Sequence, residues 1–276
     1  MTDARTTELR QRFHTLHRSG CFVSPNPWDV GSARLLVRMG FKALATTSSG
    51  FAWSTGRLDH EILVDDALEH LYGLTSAVDV PISADFEGGF AVDPADVGAN
   101  VSRAVENTAV AGLSIEDSSG DASAPLFDFT LAVERIAAAR QAMDREMSGA
   151  FLIARSEGFI AGRPDLDETI KRLVAFSEAG ADCLFAPGLR TEDQISAIVR
   201  AVAPKPVNVL VSAPFITVDR LAALGVRRVS VGGALARSAW NGFVHAAREI
   251  AEHGTFNALG EAIPAAELNG LLSKRT

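Results

Sequence analysis

Ala179-Gly180-Ala181-Asp182-Cys183-Leu184-Phe185 decides the fold. A helical stretch closes on Gly180 and an apolar run begins at once, the pattern of a helix C-terminus feeding a buried strand through a short loop. The same junction recurs at Met39-Gly40-Phe41, Ala111-Gly112-Leu113 and Leu224-Gly225-Val226. Apolar runs suited to buried parallel strands start near Phe22, Ala43, Pro81, Leu113, Phe151, Cys183, Val207 and Val229. Amphipathic stretches lie between them: Val97, Val101, Ala104 and Val105 share one helical face, as do Leu166, Ile170, Leu173 and Val174. Asp93-Pro94 reads as an N-cap followed by proline at the first helical position, and Thr191 to Gln194 has capping-box spacing. Eight alternating units predict an α/β protein of the (β/α)8 TIM-type barrel class, with the barrel over residues 1–253. No Gly-x-Gly-x-x-Gly follows the first strand, which disfavours an open dinucleotide-binding sheet.

Residues 254–276 form a tail beyond the eighth unit, with Leu268, Leu271 and Leu272 as an apolar stripe on a further helix. That stripe has no place inside a barrel; it packs either on the barrel's outside or on another subunit.

The 276 residues are 47% hydrophobic and 22% charged, enough to build a sizeable core. Lys and Arg total 26 against 34 Asp and Glu, a net charge of −8, so no basic surface for nucleic acid is expected. No apolar run approaches the roughly 18 residues that span a bilayer, and Met1 to Gly20 is too polar for a signal peptide. The expectation is a cytoplasmic protein without a membrane partner. Cys21 and Cys183 are too few for a disulfide framework, and Cys183 sits in an apolar strand as core.

Barrel enzymes carry their chemistry on the loops at the C-terminal ends of the strands. Here the second strand runs into Thr46-Thr47-Ser48-Ser49-Gly50-Phe51, with Asp59 further on, and the third into Asp85-Phe86-Glu87-Gly88-Gly89. The fourth runs into Glu116-Asp117-Ser118-Ser119-Gly120 and the fifth into Arg155-Ser156-Glu157. Carboxylates gathered at one mouth repel unless a cation sits among them, and oxygen ligands suit Mg2+ first and Mn2+ second. Asp85 and Glu87, two apart, point the same way if the strand persists. Arg155 offers a planar fork for a substrate carboxylate or phosphate. Each residue also has a plain structural reading. Asp59 can cap a helix at His60-Glu61-Ile62, Glu116 can be a rim charge, and Arg155 can pair with Glu87 or Glu116. The combination of Asp85, Glu87, Glu116 and Arg155 on three consecutive strand ends favours a site. Ser49-Gly50-Phe51 can present N–H groups to an anion, whereas Val231-Gly232-Gly233 reads as a tight turn. His60 is the one histidine expected near the mouth; His14, His17, His70, His245 and His253 fall on helices.

On these residues the chain resembles the isocitrate lyase/phosphoenolpyruvate mutase family. The segments that carry the resemblance are Pro25-Asn26-Pro27-Trp28-Asp29, Thr47-Ser48-Ser49-Gly50, Ala84-Asp85-Phe86-Glu87-Gly88-Gly89, Ile115-Glu116-Asp117, Ala154-Arg155-Ser156-Glu157 and Val229-Ser230-Val231-Gly232-Gly233. The resemblance implies a Mg2+-dependent lyase acting on a small 2-oxo or 2-hydroxy (di)carboxylate through an enolpyruvate-like intermediate. It implies Asp85 as direct metal ligand, with Asp59, Glu87 and Glu116 assisting through waters. Ser49, Gly50 and Phe51 would then hold the substrate's pyruvyl end, and Arg155 its anionic group. It also implies a homo-oligomer, dimer or tetramer, with a C-terminal helix exchanged between neighbours. One departure stands out: isocitrate lyases carry a Lys-Cys-Gly-His lid after the fourth strand, and here Glu116-Asp117-Ser118-Ser119-Gly120-Asp121 has no Cys, Lys or His. Isocitrate lyase activity itself is therefore not expected. Decarboxylation of an oxaloacetate-like acid needs less of a dedicated acid, because solvent can protonate an enolate; aldol-type cleavage stays open with a proton from Ser118, Asp121 or an ordered water. Phosphonopyruvate-type P–C chemistry and a silent, metabolite-binding barrel are the alternatives.

Overall fold

The computed structural model describes residues 3–273. Eight short strands form one parallel sheet: β1 (Phe22–Val23), β2 (Leu44–Ala45), β3 (Ile82–Asp85), β4 (Gly112–Glu116), β5 (Phe151–Arg155), β6 (Cys183–Phe185), β7 (Val207–Leu210) and β8 (Arg228–Ser230). From β2 to β8 each strand pairs with the next, and β8 returns to β1, giving the order β1-β8-β7-β6-β5-β4-β3-β2. The seam between β1 and β2 is bridged just past β1 by Ala45 N–H donating to Pro25 O at 3.1 Å. Asn26 adds a staple: its Nδ2 donates to Thr46 O at 2.7 Å, while its Oδ1 accepts from Val231 N and Gly232 N. The result is a nearly closed (β/α)8 barrel, and each expected strand start lies within a residue of the observed one.

Helices alternate with the strands: α2 (Val30–Arg38), α3 (Ser48–Ser54), α4 (Val64–Ala77), α5 (Pro94–Asn107), α6 (Phe129–Arg145), α7 (Leu166–Glu178), α8 (Glu192–Val202), α9 (Val218–Ala223) and α10 (Ala234–His253). They follow α1 (Ala4–Arg18), which closes the N-terminal mouth of the barrel. Phe13 of α1 is fully buried against Phe22 and Phe151, edge to face at 6.3 and 5.4 Å. This apolar plug leaves the opposite, C-terminal mouth as the open end.

Local signals explain the helix ends. Gly40, Gly180 and Gly225 follow the caps of α2, α7 and α9 with φ of 93°, 107° and 91°, the left-handed conformation that glycine adopts without penalty. Gly112 is a correction. α5 ends at Asn107, and Gly112 is the first residue of β4, where a Cβ would collide with the Phe151 carbonyl and crowd Phe13. That glycine admits the plug; it does not cap a helix. The Asp93 cap with Pro94 and the Thr191/Gln194 capping box form as expected. On α5 the expected face, Val97, Val101, Ala104 and Val105, is buried. On α7 the buried stripe is rotated to Thr169, Arg172, Leu173 and Phe176, leaving Leu166, Ile170 and Val174 half-buried. The rotation follows from Arg172, which is drawn inward to Asp117 at 3.3 Å.

α10 ends at His253, with Gly254 in the left-handed region. A 3-10 turn (Asn257–Glu261) leads to α11 (Ala265–Leu272), which lies against α2 of the same chain with Leu268, Leu271 and Leu272 half-buried. Residues 274–276 of the expected tail lie outside the described residues. No described helix is long and apolar enough to cross a membrane.

Candidate active site

The C-terminal mouth holds a cavity of about 200 Å3 lined by side chains from most of the strands. Asp85, Glu116 and Arg155 occupy the last positions of the adjacent strands β3, β4 and β5; Glu116 pairs in register with Arg155, while Asp85 pairs with Ser114, two residues before Glu116 on the same face of β4. Period-two alternation turns all three toward the barrel axis. Arg155 Nη1 lies 2.8 Å from Asp85 Oδ1 and 3.2 Å from Glu116 Oε2, and its Nε lies 2.5 Å from Glu157 Oε1. The cation that relieves the acidic mouth is thus supplied by the chain itself. Burial works against the charge of Arg155, but Glu116, Glu157 and Asp85 outweigh it and hold its pKa well above the usual guanidinium value.

Asp85 and Asp117 tie this cluster to the scaffold. Asp85 Oδ2 accepts from the backbone N–H and the hydroxyl of Ser48, at 3.1 and 3.0 Å, linking it to the start of α3. Asp117, next to Glu116 but pointing out of the barrel, accepts from Glu157 N at 2.8 Å and Ser156 Oγ at 3.1 Å. Asp117 thereby orients the loop that presents Glu157 to Arg155. Glu116 is 4% exposed, and burial pushes its carboxyl up to about 8; Arg155 pulls the other way without cancelling the effect.

Asp59 lines the cavity and does not cap a helix, because α4 begins at Val64 behind Leu63. Burial raises its pKa. Glu87 departs from the arrangement expected of it. β3 ends at Asp85 and Glu87 adopts φ 47°, so the alternation that would have aligned the two carboxylates stops. Glu87 Oε2 instead faces His60 Nδ1 at 3.5 Å, and Glu87 Oε1 is buried without a hydrogen-bond partner. His60 is also left-handed, at φ 68°. Its hydrogen bond to Glu87 is the main reason its pKa is raised to about 9. Two non-glycine residues in this region cost on the order of 1 kcal/mol each or more, strain characteristic of functional sites.

Of Ser49-Gly50-Phe51, only Ser49 lines the cavity. Gly50 N–H donates to Thr47 Oγ1 and Phe51 N–H to Thr47 O, so both are used in starting α3. Phe51 stacks on His70 at 3.8 Å, away from the mouth. Ser118 and Asp121 also lie outside the cavity lining. Asp121 accepts from Ser123, mainly its hydroxyl, which lowers its pKa and makes it a poor proton donor. Gly232 and Gly233 form the turn into α10, as expected, but line the cavity as well. Cys183 is fully buried, and burial pushes its thiol up to about 12, as suits a core residue.

Sequence reading did not single out Ser48, Glu157, Asn26 or the polar residues below the mouth: Ser83, Asn208, Arg228 and Ser230 all line the cavity. A signal was available. Ser83 and Asp85 share one face of β3, and Arg228 and Ser230 share one face of β8, so polar residues recur with period two inside apolar strands.

The Phosphoenolpyruvate phosphomutase family model matches residues 13–251. The crystal structure of a candidate lyase/mutase from Burkholderia cenocepacia J2315 is 45% identical, covers 96% of each chain and superposes with a TM-score of 0.93. An uncharacterised protein of Mycobacterium tuberculosis H37Rv is 33% identical over 94% of this chain and 95% of its own. An oxaloacetate decarboxylase of Pseudomonas entomophila is 30% identical over 85% of this chain and 82% of its own. The chain therefore belongs to the phosphoenolpyruvate mutase/isocitrate lyase family.

Proposed function

We propose that this protein is a Mg2+-dependent carbon–carbon lyase acting on a small 2-oxo or 2-hydroxy (di)carboxylate, with decarboxylation of an oxaloacetate-like acid as its preferred reaction. The observation that carries this reading is the convergence of Asp85, Glu116 and Arg155 from three neighbouring strand ends on one cavity. The similarity to an oxaloacetate decarboxylase supports the substrate class.

The donor set fits a hard divalent ion. Among the described residues no three His, Cys, Asp or Glu side chains form a complete cage, but Mg2+ keeps several waters and needs only one or two carboxylates. Asp85 would hold it, with Asp59, Glu87 and Glu116 assisting through water. Mn2+ suits the same oxygens. The buried, unpartnered Glu87 Oε1 and the raised pKa of Glu116 are both features that a cation would relieve. When bound, the ion supplies positive charge to an oxygen that becomes enolate-like.

The chain's own residues then do the rest. Arg155 commits Nε and Nη1 to carboxylates, while no hydrogen bond among the described residues uses Nη2, leaving that donor for a substrate anion. Ser49 lines the same mouth, and among the described residues its hydroxyl is hydrogen-bonded only to Thr47 Oγ1, at 3.1 Å. With no Cys, Lys or His in the loop after β4, solvent returns the proton to the carbon.

The protein assembles as a homo-oligomer in this reading. α10 has one buried residue, Ala236, and leaves Leu235, Trp240, Phe243 and Val244 exposed. An apolar face of this kind on a soluble barrel favours covering by a second copy.

Pyruvate release from a panel of 2-oxo and 2-hydroxy acids, with and without Mg2+, tests the lyase reading. Mg2+-dependent release from an oxaloacetate-like acid is expected. Phosphate release from phosphonopyruvate alone, or thermal stabilisation by oxalate with no turnover of any acid, would overturn it.

A further inference from the structure

Two guanidinium groups line the cavity, and they stand in opposite circumstances. Arg155 is held by three carboxylates. Arg228, the first residue of β8, is held by none: no described carboxylate forms an ion pair with it. It is 4% exposed, with its guanidinium carbon 5.7 Å from the ring centre of Phe13, directly on the apolar plug. Among the described residues its one hydrogen bond runs from Nη2 to Ser83 Oγ at 2.6 Å, and Nε has no partner.

Asn208 is paired with Arg228 in register across β7 and β8, and its Oδ1 is likewise buried and unpartnered. Its Nδ2 donates to Ser230 Oγ at 2.9 Å. A half-turn of the Asn208 amide keeps Ser230 satisfied and replaces the orphaned oxygen by an N–H donor. Barrel interiors at this level are ordinarily filled by branched apolar side chains. A buried guanidinium without a counter-charge costs several kcal/mol, and the guanidinium stays charged because arginine does not deprotonate in proteins. A cation kept at that cost beneath an open cavity is matched by an anion that enters from above.

We propose that Arg228, with Ser83 and Asn208, forms a carboxylate-binding subsite at the floor of the cavity. It receives the inward-facing carboxylate of the 2-oxo or 2-hydroxy acid, and in this respect it rests on the lyase reading above. Pairing with arginine holds a carboxylate's electrons on its oxygens; Arg155 already shares its charge among three carboxylates, whereas Arg228 shares its own with none, so the group on Arg228 is the one that the reaction retains. In a decarboxylation the bond that breaks lies toward the mouth. Its electron pair passes to the half held on Arg228 as an enolate, carbon dioxide leaves, and water supplies the proton.

The test is calorimetric binding to the full chain in Mg2+ buffer, using pyruvate and its neutral amide as probes, with pyruvate release measured alongside. Wild type is expected to bind pyruvate at least about tenfold more tightly than the amide. Arg228→Met is expected to lose about tenfold or more in pyruvate affinity while holding the amide within twofold, and Arg228→Lys to recover part of the loss. Pyruvate affinity within twofold of wild type in Arg228→Met overturns the subsite, as does a wild type that binds both probes equally or neither. If Arg228→Met gives no cooperative melt, Arg228→Lys decides: its planar fork is gone, and unchanged pyruvate affinity overturns the proposal. Arg228-dependent binding without turnover of any acid would remove the lyase reading and leave the subsite standing. Turnover indifferent to Arg228 would do the reverse.

Discussion

Arg155 Nη1 stands 2.8 Å from Asp85 Oδ1, joining the end of β5 to the end of β3 across Glu116 on the strand between them. The pair does two things. It neutralises an acidic mouth that would otherwise repel itself, and it fixes the carboxylate best placed to meet a metal. Because both side chains are mostly buried, their interaction is screened far less than a surface pair.

Asp85→Ala is expected to abolish Mg2+-dependent pyruvate release, by at least about a hundredfold in kcat/KM. The barrel should still fold, because Asp85 caps a strand end and fills no apolar contact. Steady-state assays with a circular-dichroism melt check this; full activity in the variant would refute the metal position.

Arg155→Met strands three carboxylates in one cavity and should cost about 3 kcal/mol of stability near pH 8. The deficit is expected to shrink toward pH 5, where Glu116 and Glu157, whose burial raises their pKa, take up protons and stop repelling. Urea unfolding at the two pH values measures it. An equal loss at both would show that packing, and not charge, is what Arg155 provides.

Glu116 ties metal binding to pH. Its folded pKa is raised to about 8 from an ordinary 4.5, so the folded state holds a proton that the unfolded state releases. Its contribution to stability is therefore fullest below pH 4.5 and falls as pH rises through about 8. A cation in the cavity favours the carboxylate, so Mg2+ binding at pH 7 should release close to one proton. Titration calorimetry in buffers of different ionisation enthalpy reads that number directly, and Glu116→Gln should bring it to near zero.

Assembly should depend on the last two helices. Phe243 is 63% exposed and meets Trp240 edge-on at 5.6 Å, so Phe243→Glu places a charge in the middle of the apolar face of α10. A lower mass by light scattering is expected for this variant and for a chain truncated after Ile263. Unchanged mass in both would show that neither helix joins subunits.

The sequence by itself determined the barrel and the rim. Apolar runs separated by capped, amphipathic helices leave a chain of this length one economical closure, and strand ends are where polar residues must emerge. Asp85, Glu116 and Arg155 were legible for that reason. The direction of each side chain beyond the strand ends was decided only in three dimensions. Left-handed backbone at Glu87 turned one acid aside to His60. The first turn of α3 used the N–H groups of Gly50 and Phe51. Gly112 proved to be room for Phe13, and Arg228 became conspicuous only once Ser83, Asn208 and the plug were seen around it. Periodicity along a chain reports which face a residue takes; whether a buried charge finds a partner depends on residues more than a hundred positions away, as Ser83 and Arg228 show.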